Sequence, residues 1–228
     1  MGDAVGRMLP SAVGIVLSPL PLIAVILLLA GPRGRLNGTA FALGWVAALS
    51  AVTVLVVVVG SGLDTGGPHP AWSSWLLLAL GGLLLVLGAA QWRARPREGH
   101  VHRPPPWMQA ADRFIPARAA GLGAWLVVAA PMNVGPAIGG GVAIATGAAD
   151  GVGKAVAVAL MVLVSSLGTL LPLGVDLLGL FDGARSAKVL GEWKAWASVH
   201  NSAVTLVVLI LLGAEYVGGA VTGLAAPG

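Results

Sequence analysis

At 228 residues the chain is 57% hydrophobic and 10% charged, has a mean hydropathy of +0.91 and holds no cysteine. Soluble domains carry about 25% charged residues, so an ordinary soluble fold is excluded and an integral membrane protein is expected. Without cysteine there is no disulfide framework, thiolate metal site or thiol–disulfide carrier. The formal charge of +4 must be read from where the charges sit.

Six apolar stretches reach the length of about 20 residues that a helix needs to cross a bilayer. In chain order they run roughly over 9–29, 38–59, 72–91, 119–146, 154–175 and 198–217. The first is interrupted by Pro19 and Pro21 and ends in no small-residue cleavage pattern, so it reads as a retained helix and not a signal peptide. The second is uninterrupted. Trp72, Trp75 and Trp92 frame the third, as interfacial anchors do. The fourth contains Ala130-Pro131-Met132-Asn133-Val134-Gly135-Pro136, then Gly139-Gly140-Gly141, and its length fits a broken or tilted helix. The fifth carries Ser165, Ser166 and Thr169 as hydrogen-bonding groups between helices. Ahead of the sixth, Val189, Leu190, Trp193, Trp196 and Ala197 share one helical face, which predicts a short amphipathic segment over 188–199 lying on the membrane surface. Trp107–Ile115 carries a similar stripe.

With six crossings, the connections after the first, third and fifth share one side. They hold Arg33, Arg35, Arg93, Arg95, Arg97, Arg103, Arg113, Arg118, Arg185, Lys188 and Lys194, eleven of the thirteen basic residues, against Arg7 and Lys154 opposite. The positive-inside rule places the eleven in the cytoplasm and both termini outside. That bias accounts for the basic charge without nucleic acid. The chain divides into a three-helix half over 1–92, a proline-rich basic linker over 93–117 and a second three-helix half over 118–228. Three crossings per half force opposite orientations. The expected fold is therefore an all-α membrane protein of six transmembrane helices in an inverted 3+3 repeat, with helices one and four broken by proline.

Those breaks carry the functional expectation. Pro19 cannot donate to the carbonyl of Ile15, nor Pro21 to that of Leu17; Pro131 and Pro136 free the carbonyls of Val127 and Met132. Half-helices restarting at mid-membrane aim the positive ends of their dipoles inward, which suits an anionic group, while the freed carbonyls suit a cation. Ordinary proline kinks would look the same in sequence. Ser18, Pro19, Pro21, Pro131, Asn133 and Pro136 are the candidate substrate-binding residues, with Asn201 as a polar partner. Asn133 either touches substrate or caps freed backbone. Gly139 and Gly140 either line the cavity or let helices approach closely. His200 and Glu215 fall near the membrane surfaces, where ionisable groups are cheap. No acidic or basic residue falls at the middle of any stretch, which argues against coupling through a buried carboxylate. His100 and His102 lack a carboxylate cluster, so no metal is expected. No nucleophile–base arrangement or phosphate loop is present, so neither enzyme activity nor a cofactor is expected.

Leu17-Ser18-Pro19-Leu20-Pro21-Leu22-Ile23 with Gly31-Pro32-Arg33, then Gly44-Trp45-Val46, Pro131-x-Asn133 and His200-Asn201-Ser202-Ala203-Val204 resemble the LysE superfamily of exporters. Within it the chain is similar to the GAP family, the peptidoglycolipid- or sulfolipid-addressing proteins of actinobacteria, over nearly its whole length. The resemblance implies a multi-pass bacterial plasma-membrane protein that moves lipids or glycolipids toward the envelope. In that family the fourth helix more often reads Asn-Pro-Lys-Asn; here it reads Ala130-Pro131-Met132-Asn133, so a mechanism using that lysine does not carry over. The expected function is export of a lipid or glycolipid, an anionic amphiphile by preference, through a midplane site between helices one and four. The expected partners are membrane lipids and the lipid or small-molecule substrate. An amino-acid or small-solute exporter and a non-transporting scaffold for envelope lipid export stay open, as does a homodimer through Gly81-Gly82, Gly88 or Gly219-x-x-x-Gly223.

Overall fold

The computed structural model describes residues 2–63, 71–93, 114–178 and 183–225. The 64–70 connection and residues 94–113, with His100, His102 and most of the Trp107–Ile115 stripe, lie outside the described residues. The described elements are helices: α1 (Gly2–Val16), α2 (Pro19–Leu29), α3 (Gly34–Gly62), α4 (Ala71–Arg93), α5 (Pro116–Ala129), α6 (Pro131–Ala145), α7 (Gly151–Ser165), α8 (Leu167–Leu177) and α9 (Gly183–Ala225). Three of them, α3, α4 and α9, are long and apolar enough to cross a membrane singly. The rest pair end to end, α1 with α2, α5 with α6 and α7 with α8, bent by 50°, 69° and 63°. The chain thus offers three candidate crossings, or up to six if each bent pair makes one.

Two bends follow directly from proline. Ser18 donates its amide to Ile15 at 3.0 Å, taking over a carbonyl that Pro19 cannot serve. The residue before a proline is pushed out of helical backbone, and both Ser18 (ψ 115°) and Ala130 (ψ 112°) are extended. Each half-helix then restarts with proline at its first position, where the missing donor costs nothing.

The third bend adds to the two expected in helices one and four. The amide of Ser166 closes α7 on Val162 and Leu163, while its carbonyl opens α8 by accepting from Thr169 and Leu170. Pro172 removes a further donor one turn on. Glycine–serine settings are among the few that kink a helix sharply, and Ser165-Ser166-Leu167-Gly168 is one.

A second correction concerns 188–199. No proline interrupts 183–225, and α9 runs unbroken for 43 residues, about 64 Å against about 30 Å of hydrocarbon. The amphipathic stretch is the first part of α9 and not a surface segment ahead of it. Leu190 and Ala197 are buried in the bundle.

Glycine sets the closest helix crossings. A Cβ on Gly44 would fall on the carbonyl of Ala120, and one on Gly123 on that of Phe41, so α3 and α5 touch backbone to backbone. A Cβ on Gly81 would lie 2.8 Å from the carbonyl oxygen of Gly213, where α4 crosses α9. Gly82 and Gly219 have open space around them. Apolar residues such as Leu43, Val58, Val86, Trp125 and Leu211 are exposed on the flanks, as lipid contact requires.

Polar ties close the two ends. At the end holding the N-terminus, Lys154 donates to the carbonyl of Ala145 at 2.7 Å and to Ser61 Oγ at 3.0 Å, stopping the last turn of α6. Asp150 caps α7 through the amide of Gly153 at 2.8 Å. At the opposite, basic end, Arg35 pairs with Asp176 at 3.3 Å, and Asn37 donates to the carbonyl of Phe114 at 2.9 Å.

Candidate functional site

Helices α1 and α6 pack antiparallel. A Cβ on Gly147 would meet Ala4, and one on Gly140 would meet Ser11. The same register carried seven residues further sets Ser18 level with Asn133, so the first and fourth breaks stand at one height. The fifth break joins them. A Cβ on Gly168 would lie 3.0 Å from the carbonyl oxygen of Val16, and the tie from Arg35 to Asp176 shows that α2 and α8 run in the same direction from that level.

Asn133 is fully buried, and its Nδ2 donates to the carbonyl of Leu126 at 2.8 Å. It bridges the break and satisfies backbone on the far side. Its Oδ1 has no partner among the described residues, nor have Ser18 Oγ, Ser165 Oγ and Ser166 Oγ. Four idle buried polar atoms in one zone is unusual, since buried polar groups are nearly always paired.

The three consecutive glycines face three neighbours. Gly139 receives the ring of Tyr216, Gly140 the end of Met161, and Gly141 the side chain of Val56. Tyr216 in turn shares a 2.7 Å hydrogen bond with Ser11. Beside that bond a Cβ on Gly14 would press on Leu212. Along the first helix Ser11 and Gly14 fall between residues that line two different cavities, Asp3 and Arg7 on one side and Val16 and Ser18 on the other.

The end cavity, about 420 Å³, opens at the N-terminal end of the bundle and is lined by Asp3, Arg7, Ser73, Ser74, Thr146, Glu215 and Tyr216 among others. Arg7 lies 3.8 Å from Asp3. The side cavity, about 280 Å³, lies toward the basic end between the α1–α2 break, α8 and α9. Ser18, Pro19, Leu22, Leu167, Gly168, Leu171, Trp193 and Trp196 line it, and the exposure of Leu17, Leu171 and Trp196 shows that it opens on the flank of the bundle. Two further cavities lie along α4 and α9, about 360 Å³ and 280 Å³.

The candidate residues are therefore dispersed. Ser18 and Pro19 line the side cavity, Gly139 the end cavity, and Pro131 a groove with Gln91, Met132 and Thr205. Pro21, Asn133, Pro136, Gly140 and Asn201 line none of these four cavities. Asn201 is partly exposed on α9 with Oδ1 unpartnered. Its neighbour His200 is exposed, bonds to the Trp196 carbonyl at 2.8 Å and stacks on the indole. Ser11 and Tyr216 escaped sequence reading, because a lone Tyr in an apolar run and a Ser near a terminus carry no motif. The break at Ser166 was not expected either, and the serine–glycine run over 165–168 is the signal that could have found it.

A family model described as Sap, sulfolipid-1-addressing protein matches residues 8–222 of the chain. No curated protein and no solved structure matches it.

Proposed function

The chain belongs to the Sap, sulfolipid-1-addressing protein family, and from that premise we propose that it is a plasma-membrane exporter carrying a lipid or glycolipid toward the cell envelope. The observation that carries this reading is the side cavity, an apolar chamber opening on the flank of the bundle at the level where the helices break. A carrier for amino acids or ions needs a narrow wet chamber shut off from lipid. A lipid carrier needs a lateral door for acyl chains and a polar recess for the head group.

In this reading the three bent pairs are crossings, giving six transmembrane helices in an inverted 3+3 arrangement of the LysE type. The basic end faces the cytoplasm and both termini face outward. Ser18 and Pro19 meet the substrate from the side cavity. Asn133 and Pro131 hold the fourth helix open as architecture, while Pro136, expected to free backbone at a second interruption, lies inside the continuous α6. Transport proceeds by parting the layer of Ser11, Tyr216 and Gly139, which joins the side cavity to the end cavity. The short glycine contacts of that layer let helices slide without unpacking.

Reconstitution into liposomes with labelled phospholipids and, separately, labelled amino acids tests the proposal. Wild-type protein is expected to translocate lipid and not amino acid, and Pro131→Ala to slow it. Movement of amino acid alone overturns the lipid assignment. Movement of neither leaves a scaffold for envelope lipid export.

A further inference from the structure

Three helix ends meet at the height of the breaks. A Cβ on Gly140 would meet both Ser11 and Met161, so α1, α6 and α7 converge there. Helices α1 and α7 run inward from the end holding the N-terminus, and α6 runs outward to it. Seven residues further along α1 stands Ser18, seven back along α6 stands Asn133, and one turn on along α7 stands Ser165. Each lies within a turn of a break, one in each bent pair. They are 2%, 0% and 1% exposed.

Each presents an oxygen that nothing bonds. Ser18 Oγ, Asn133 Oδ1 and Ser165 Oγ have no hydrogen-bond partner among the described residues. The orientation of the Asn133 amide is fixed, because its nitrogen donates to the Leu126 carbonyl at 2.8 Å and a carbonyl only accepts. The backbone adds acceptors and few donors. Pro19, Pro21 and Pro131 have no amide. The Ser18 amide is spent on Ile15, those of Asn133 and Val134 on Ala130, and those of Thr169 and Leu170 on Ser166. The carbonyl of Val127 loses its partner to Pro131, and Ala130 does not take it up. The carbonyl of Gly14 loses its own because Ser18 turns to Ile15. The Val16 carbonyl oxygen reaches the same level, 3.0 Å from where a Cβ on Gly168 would stand. Oxygens thus outnumber free donors where the C-termini of α1, α5 and α7, the negative ends of their dipoles, arrive together.

We infer that Ser18, Asn133 and Ser165 form a binding site for one dehydrated monovalent cation, sodium by size, with carbonyls freed at the breaks completing its shell. The ligands are all neutral oxygens. Among the described residues no group of three or more His, Cys, Asp or Glu is placed to hold a metal ion, so a divalent ion finds no carboxylate to offset its charge and a transition metal no nitrogen or sulfur. Asn133 and Ser165 line none of the four cavities, so the space between them is small, which favours sodium over the larger potassium. Helix C-termini and unwound carbonyls are how a membrane protein holds such an ion without a charged side chain. An ion there joins one residue from each bent pair and fixes the three bends against one another. The site is independent of what the chain carries.

Thermal unfolding of the full chain in neutral detergent reads the site directly. Sodium chloride, potassium chloride and choline chloride are compared at constant ionic strength. Sodium is expected to raise the melting temperature by several degrees, increasing with concentration as binding to the folded state alone requires. Potassium is expected to do less and choline nothing. Ser18→Ala/Ser165→Ala removes two idle buried hydroxyls, so it is expected to melt in choline at or above the wild-type temperature and to lose the sodium shift. A merely structural role for the two serines would lower melting in all three salts alike, and that result overturns the inference. Should the double variant fail to fold, Ser165→Ala alone is expected to raise the half-saturating sodium concentration about tenfold. Equal melting of the wild-type protein in sodium, potassium and choline overturns the inference and leaves a buried water at the junction. So does a sodium shift undiminished in the serine variants.

Discussion

The two cavities on either side of the Ser11–Tyr216 layer differ in almost every physical respect. The side cavity is walled by leucine, tryptophan and proline, holds no charged side chain and faces two helix starts. The end cavity is lined by Asp3, Arg7 and Glu215, with Ser73, Ser74 and Thr146 between them. Asp3 stands against Arg7 at 3.8 Å, and Glu215 has no ion-pair partner among the described residues. One chamber is walled by apolar groups, and the other carries charged groups of both signs. The difference teaches that a chain with few charges can keep an apolar chamber open on its flank apart from a charged one open at its end.

Labelling gives the largest expected contrast. The native chain has no cysteine, so single cysteines report without background. In sealed vesicles, a membrane-impermeant maleimide applied from the side of the termini is expected to modify Ser74→Cys and not Leu171→Cys. Equal labelling of both would erase the barrier between the chambers.

Next in size is Gly139→Leu. A side chain there collides with the Tyr216 ring, so the layer must open or the helices separate, at about 1–3 kcal/mol. The expected result is a lower melting temperature in detergent and labelling of Leu171→Cys from the terminal side. Asn133→Ala follows. It removes the bond to the Leu126 carbonyl and leaves a buried acceptor unpaired, at about 1–3 kcal/mol. Lost stability with lipid movement per folded molecule unchanged would mark Asn133 as architecture, whereas lost movement at full stability would make it part of the substrate path. Tyr216→Phe is the smallest of these. It deletes one hydroxyl bond to Ser11, worth about 0.5–1.5 kcal/mol, and keeps the ring seated on Gly139. A slight fall in melting temperature with faster lipid movement is expected, and slower movement would contradict the layer's role as the barrier.

Much of the fold was legible from residue types. Pro19 and Pro131 announced two of the breaks, because proline has no amide to donate and restricts the residue before it. The high charge on one set of connections gave the two ends. The third break was missed because serine and glycine permit a kink without compelling one. The continuity of α9 was missed because an amphipathic face looks alike on a surface helix and at the start of a long one. For the candidate residues, chemistry was legible and location was not. Asn133 read equally as ligand or cap until its partner seven residues back was in view.

The sequence by itself determined that this chain is helical and apolar, that two of its helices break at Pro19 and Pro131, and which end is basic, since these are local consequences of side-chain hydration and backbone donors. Only the tertiary structure decided which breaks face one another, because that depends on how Gly44, Gly123 and Gly140 let distant helices approach. It alone set Ser18 and Gly168, residues 150 positions apart in the chain, in the wall of one cavity.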